Sequence, residues 1–153
     1  MTKKIIITGA FGHIGSKLSN YLSKYNKNNK IYLIDNFETE RYSSIFSLKY
    51  NKNVKFFKID LLKQQIPNII NNADILIHLA AKTNAEKSLE INQNYIQNNY
   101  QITKNIVNYC IRNKTNLIFI SSTSVYGVSS NLVNEDCSIK QLKPQSPYAI
   151  SKI

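Results

Sequence analysis

The sequence has little of what staples or anchors a chain. Its 153 residues hold two cysteines, Cys110 and Cys137, which fit no metal-ligand spacing and frame no disulfide network. A reducing, cytoplasmic setting is therefore expected. No apolar run approaches the roughly 18 residues that a membrane span needs. Ile5-Ile6-Ile7 is also too short for the core of a signal peptide. A soluble protein without a membrane partner follows. Acid is scarce too, with 9 Asp and Glu against 20 Lys and Arg and a net charge of +11. Arginine supplies almost none of that charge, standing only at Arg41 and Arg112. A nucleic-acid footprint needs cations clustered on one face beside aromatic residues. Here Lys17, Lys24, Lys30, Lys49, Lys55 and Lys63 are scattered along the chain. The excess charge reads as a solvated surface, with no nucleic-acid partner.

What is present is a repeated alternation of apolar runs and helical patterns, on a chain long enough to bury one core. Ile5 to Ile7 reads as a buried strand. A helix follows, with Ile14, Leu18, Tyr21 and Leu22 spaced to form one apolar face, and Asn26-Lys27-Asn28-Asn29 breaks it. Further strands are expected at Ile31 to Ile34, Val54 to Ile59, Ile75 to Leu79 and Leu117 to Ile120. Helices are expected near Ser43 to Lys49, around Ile66 to Ile70, from about Ser88 to Arg112, and beginning near Ser146. Apolar strands separated by helices imply an α/β fold, a Rossmann-type doubly wound parallel sheet covered on both faces.

Glycine is also sparse, yet three of the four glycines lie between residues 9 and 15. Thr8-Gly9-Ala10-Phe11-Gly12-His13-Ile14-Gly15 joins the first strand to the first helix. Gly9 is expected to make the tight turn, Gly12 to let a pyrophosphate approach the backbone, and Gly15 to let helix and strand pack closely. The helix N-terminus then offers N–H groups and partial positive charge to phosphates. Asp35, at the end of the second strand, can accept bonds from both adenosine ribose hydroxyls. A carboxylate there repels a 2′-phosphate, so NAD is the expected cofactor rather than NADP.

At this point the residues resemble the short-chain dehydrogenases/reductases of the extended, nucleotide-sugar type, similar to UDP-glucose 4-epimerase-like members of the NAD-dependent epimerase/dehydratase family. The Thr-Gly-x-x-Gly-x-x-Gly spacing carries part of the likeness, and Asp35-Asn36 resembles the family's ribose-binding strand end. Asp60-Leu61 looks like the pair that contacts adenine, and His78-Leu79-Ala80-Ala81 like the segment lining the cofactor. Asn99, Thr103 and Asn105 resemble a helix signature in which Ile102 replaces a glycine. Ser121-Ser122-Thr123-Ser124-Val125-Tyr126-Gly127 resembles the strand-five Ser/Thr signature. Ser146-Pro147-Tyr148-Ala149-Ile150-Ser151-Lys152 matches Tyr-x-x-x-Lys with its Ser-Pro lead.

The resemblance implies that Gly9, Phe11, Gly12, His13, Ile14, Gly15, Asp35, Asn36, Asp60, Leu61, Leu79, Ala80, Ala81, Asn99, Tyr148 and Lys152 hold NAD. It also implies a chain that continues past Ile153 into further strands and a substrate domain. Residues 1–153 are then the NAD-binding domain, incomplete at its C-terminus and without turnover alone, with homodimers expected of the full-length form. The implied activity is epimerisation of a nucleotide sugar through a keto intermediate. A dehydrogenase or reductase, a dehydratase, and a non-catalytic NAD-binding module are the alternatives.

A free tyrosine has a pKa near ~10, too high for an efficient base at neutral pH. A lysine four residues on shares its helical face, and that charge favours the phenolate. Tyr148 is thus the candidate base and acid, Lys152 its cationic partner and ribose ligand, and Ser122 the hydroxyl that holds the reacting oxygen. Taken singly, Tyr148 and Lys152 could be surface neighbours and Ser122 a strand end. His13 and His78 read as loop and strand-end structure, and Tyr126 as packing. Dehydratases of the family carry acids before the Val-Tyr-Gly, where this chain has Thr123 and Ser124, which favours epimerase chemistry.

Overall fold

The computed structural model describes residues 2–49, 51–83, 92–128 and 133–153. They belong to two compact units, Met1–Ala81 with Ile102–Ile120, and Lys82–Gln101 with Ser121–Ile153. The first unit is built on five strands: β1 (Lys4–Thr8), β2 (Lys30–Asp35), β3 (Val54–Lys58), β4 (Ile75–His78) and β5 (Asn116–Phe119). All neighbouring strands run parallel, in the order β3-β2-β1-β4-β5. The chain steps outward from β1 to β3, then returns to the other side of β1. That is the doubly wound α/β arrangement, and its reversal opens a crevice at the C-terminal ends of β1 and β4.

The period of two along each strand explains why continuous apolar runs form these strands. Ile6, Ile34 and Leu76 join Ile102, Ile106 and Tyr109 in one core cluster. Ile5, Ile7, Ile31 and Leu33 join Phe11 and Phe37 in the other. Full burial of each such side chain contributes about 1.5–3 kcal/mol. The expectation of burial on both faces fails for β3, whose Lys55, Phe56 and Lys58 are exposed. It is an edge strand, and two lysines keep that edge wet.

The first helix, α1 (His13–Tyr25), starts and stops where expected, with Asn26 as its C-cap. Its buried face differs from the expected stripe. Gly15, Ser19 and Ser23 are buried, Leu18 and Leu22 pack beside them, while Ile14 and Tyr21 are 64% and 60% exposed. The helix lies too close to the preceding turn for large side chains. Ser19 Oγ donates to Ala10 O at 3.1 Å.

Helix α2 (Ser43–Phe46) is shorter than expected, and a 3-10 turn, Asn68–Ile70, stands in place of the short helix expected around Ile66 to Ile70. The long helix α3 runs Asn92–Asn113; the expected start at Ser88 lies outside the described residues. Ile102, at the place of the signature glycine, is buried in the first cluster. The second unit carries 3-10 turns at Thr123–Tyr126 and Ile139–Gln141 and the short helix α4 (Pro147–Ile150). Ser146 caps α4 by accepting the Ala149 N–H, with Pro147 in the first turn.

Candidate functional site

The glycine turn shows three different uses of the same residue. Gly9 has φ +66°, and a Cβ there would stand 2.7 Å from Ala80 N and 2.8 Å from Leu79 C. It both turns the chain and lets the 79–81 segment lie against it. A Cβ on Gly15 would stand 2.0 Å from Gly9 O. This glycine therefore lets α1 close on the turn itself, rather than on the strand. Gly12 is unlike both. Its φ of −66° suits any residue, and a Cβ there would meet only Gly9 O, at 3.4 Å.

Among the described residues nothing requires glycine at position 12, and a side chain there would project away from the turn. No side chain caps α1 and no acid stands in its first turn. The positive end of the helix thus carries neither a side-chain cap nor an acid of its own. The bare backbone and the free helix end fit a dinucleotide's pyrophosphate.

Asp35 ends β2 and is half-buried. Its Oδ2 accepts the Phe11 N–H at 2.9 Å and its Oδ1 the Phe37 N–H at 2.8 Å. The sequence assigned this acid to the ribose alone, whereas it also ties the glycine turn to the segment after β2. An ionised carboxylate has lone pairs left for further donors. Phe11 itself is 1% exposed. Its ring stacks on Phe37 with centroids 5.2 Å apart, and Phe37 stacks on Tyr42 at 4.9 Å. Phe11 therefore shapes the turn from the core. His13 and Ile14 are exposed at the start of α1. Asn36 Oδ1 accepts the Glu38 N–H at 3.0 Å.

After β3, Asp60 Oδ1 accepts the Leu62 N–H and its Oδ2 pairs with Lys63 at 3.6 Å. The Leu61 side chain is buried in the core, and its carbonyl accepts Asn105 Nδ2 at 2.9 Å. After β4, Leu79, Ala80 and Ala81 are half-buried, and Leu79 N–H donates to Thr8 O at 3.1 Å. Thr8 is not among the expected cofactor residues. Its complete burial at a strand end is the signal of a structural hydroxyl.

In the second unit, Asn99 is 2% exposed with its amide fully used. Oδ1 accepts the Lys82 N–H at 2.8 Å, and Nδ2 donates to Lys82 O at 3.0 Å and to Ser151 Oγ at 3.1 Å. Ser151 Oγ donates in turn to Tyr148 O at 2.7 Å. Asn99 thereby anchors the short helix that bears Tyr148, while Lys152 lies two residues past its end, a link through Ser151 that the sequence does not suggest. Lys152 Nζ lies 5.7 Å from the centre of the Tyr148 ring. Burial pulls the Lys152 ammonium below the usual lysine range. Ser122 Oγ accepts the Ser124 N–H at 3.2 Å and is 2.7 Å from Ser124 Oγ. Tyr126 follows at the end of the same 3-10 turn.

The profile described as "NAD dependent epimerase/dehydratase family" matches residues 5–153. A UDP-N-acetyl-alpha-D-glucosaminuronate decarboxylase from Bacillus cytotoxicus is 33% identical, over 89% of this chain and 41% of that protein. A dTDP-D-glucose 4,6-dehydratase from Dictyostelium discoideum is 32% identical, over 98% of this chain and 38% of its own length. Among solved structures, the UDP-glucuronic acid 4-epimerase of Bacillus cereus, in complex with UDP-glucuronic acid and NAD, superposes with a TM-score of 0.85 at 33% identity. That match covers 97% of this chain and 48% of the epimerase. The chain thus spans less than half the length of these relatives.

Proposed function

Because the chain belongs to the NAD dependent epimerase/dehydratase family, we propose that it is the cofactor-binding half of an enzyme that epimerises a nucleotide sugar with NAD, through a transient keto sugar. The observation that carries this reading is the open space over Gly12. The pyrophosphate would lie there at the N-terminus of α1, against backbone N–H groups near His13 and Ile14. Asp35 and Asn36 would bond the adenosine ribose, with the backbone at Asp60 and Leu61 facing the adenine. Leu79, Ala80 and Ala81 would flank the cofactor beyond the Gly9 turn.

When bound, NAD supplies the hydride acceptor and donor. Tyr148 would take the proton of the sugar hydroxyl and return it at the end of the cycle. The Lys152 cation, beside its ring, would bond the nicotinamide ribose. Ser122 would donate a hydrogen bond to the reacting oxygen. The uncharged Thr123-Ser124 pair supports epimerase chemistry over the elimination of water. The two free cysteines fit a reducing, cytoplasmic setting.

Turnover would belong to a protein of the relatives' length, and the 153-residue chain alone would bind NAD without it. Calorimetric titration with NAD and NADP, on wild type and Asp35→Ala, tests the cofactor assignment. NAD is expected to bind more tightly to wild type, and Asp35→Ala to lose that preference. Tighter NADP binding by wild type would overturn the reading. Conversion of UDP-glucose by this chain at an intact enzyme's rate would overturn its assignment as a binding half.

A further inference from the structure

We propose that His78 is a positioning residue for the dinucleotide site, acting through Thr8 on the 79–81 segment beside the Gly9 turn. The proposal rests on the reading that this turn holds NAD. Thr8 and His78 are register partners at the C-terminal ends of β1 and β4, 0% and 2% exposed. Thr8 Oγ1 lies 2.7 Å from His78 Nδ1, and His78 Nε2 lies 3.2 Å from Thr103 Oγ1 on α3. The imidazole also stacks against Phe119 of β5, with centroids 6.0 Å apart. It is held on both nitrogens and one ring face. The hydroxyl it grips has a second task, since Thr8 Oγ1 accepts the Ala80 N–H at 3.4 Å.

In the proposed arrangement Thr8 Oγ1, which accepts the Ala80 N–H, gives its own proton to Nδ1 of a neutral His78 ring, and Nε2–H donates to Thr103 Oγ1. A neutral ring in this tautomer fixes the Thr8 rotor with its lone pairs toward Ala80. That fixes the backbone that a Cβ on Gly9 would strike at 2.7 and 2.8 Å. The cofactor loop and the segment after β4 thus share one clamp, buried beneath both. His78 would touch neither cofactor nor substrate.

The two nitrogens can be replaced separately. In His78→Asn, Oδ1 stands near the place of Nδ1 and can still accept from Thr8, while the Thr103 bond is lost. In His78→Gln the amide reaches toward Thr103, and the acceptor for Thr8 is lost. His78→Leu removes both. The experiment measures NAD affinity by calorimetry, melting temperature, and amide hydrogen exchange at Ala80. His78→Asn is expected to bind NAD within about twofold of wild type. His78→Gln and His78→Leu are expected to bind about tenfold more weakly, as the loss of one buried hydrogen bond implies. Ala80 exchange should stay slow in wild type and His78→Asn and quicken in the other two.

A packing role alone would lower the melting temperature of all three while leaving the affinity and Ala80 protection of the folded protein alike. That result, or His78→Gln matching His78→Asn, overturns the proposal. The exchange measurement judges the clamp without NAD. Failure of wild type to bind NAD would therefore count against the cofactor reading and not against the clamp.

Discussion

Replacing each glycine of the turn by alanine should separate folding from binding. At Gly15 alanine is the better helix former by about 1 kcal/mol. Its Cβ, however, would stand 2.0 Å from Gly9 O, well over 1 Å inside an ordinary contact of about 3.4–4 Å. The obstacle is backbone, so α1 or the turn must move. Overpacking of this kind costs about 1–3 kcal/mol or more. A 2.0 Å approach to backbone calls for the upper end of that range, so Gly15→Ala should be less stable by about 2 kcal/mol after the helix gain. Gly9→Ala adds the strain of φ +66° to contacts at 2.7 and 2.8 Å and should lose at least as much. At Gly12 the balance differs. The backbone is ordinary, and the Cβ contact of 3.4 Å is mild. An entropy gain of about 0.4–1 kcal/mol roughly offsets the weaker N-cap. Gly12→Ala should unfold in urea within about 1 kcal/mol of wild type. Its NAD affinity should fall roughly 10- to 100-fold, the equivalent of about 1.4–2.8 kcal/mol of steric conflict. Urea melts and calorimetric NAD titrations on the three variants suffice. A Gly12→Ala protein that binds NAD as wild type does, or melts with Gly15→Ala, refutes the reasoning.

Two further outcomes can be checked. Burial pushes the Cys110 thiol from 9.0 up to about 11, and burial, helped by Cys110, pushes the Tyr109 phenol from 10.0 up to about 12. Both groups hold their proton more tightly when folded, so the stability they contribute is complete below about pH 9 and is lost as pH rises through 11 to 12. Cys110→Ala should flatten the fall between pH 9 and 11, read from urea midpoints across that window; an unchanged slope would count against it. Separately, Ser151→Ala and Asn99→Ala should each quicken amide exchange in α4, and the double variant should add little to the worse single one. Additive effects would mean that the Asn99–Ser151–Tyr148 chain does not act as one unit.

The sheet is legible because β1 and β2 are buried runs, and the period of two sends Ile5 and Ile7 to one core and Ile6 to the other. Strand boundaries shifted by only a residue, since hydrogen bonding rather than side-chain character ends a ladder. The face of α1 was misread for a physical reason. Apolar spacing finds large residues, whereas this helix packs through Gly15, Ser19 and Ser23, which periodicity counts as neutral or polar. The exposure of β3 follows from its edge position, a property of strand order that no local pattern carries. Within the site, residue types were readable and their partners were not. Asp35 was found as a cofactor acid, yet its bonds to Phe11 and Phe37 depend on how the turn folds back. His78 read as strand-end structure, and its grip on Thr8 spans 70 residues of sequence.

The strand order also has a consequence for how the molecule is made. β1 is made before β2 and β4, the strands that come to flank it on either side. Pairing with β2 and then β3 can proceed once Lys58 has been synthesised, while the other flank of β1 waits for Ile75–His78. Through that interval the nascent chain carries a three-stranded ribbon whose most apolar strand is open along one side, a surface that invites pairing with another copy. The fold's central strand is therefore its most vulnerable one during translation, and the arrival of β4 closes that exposure.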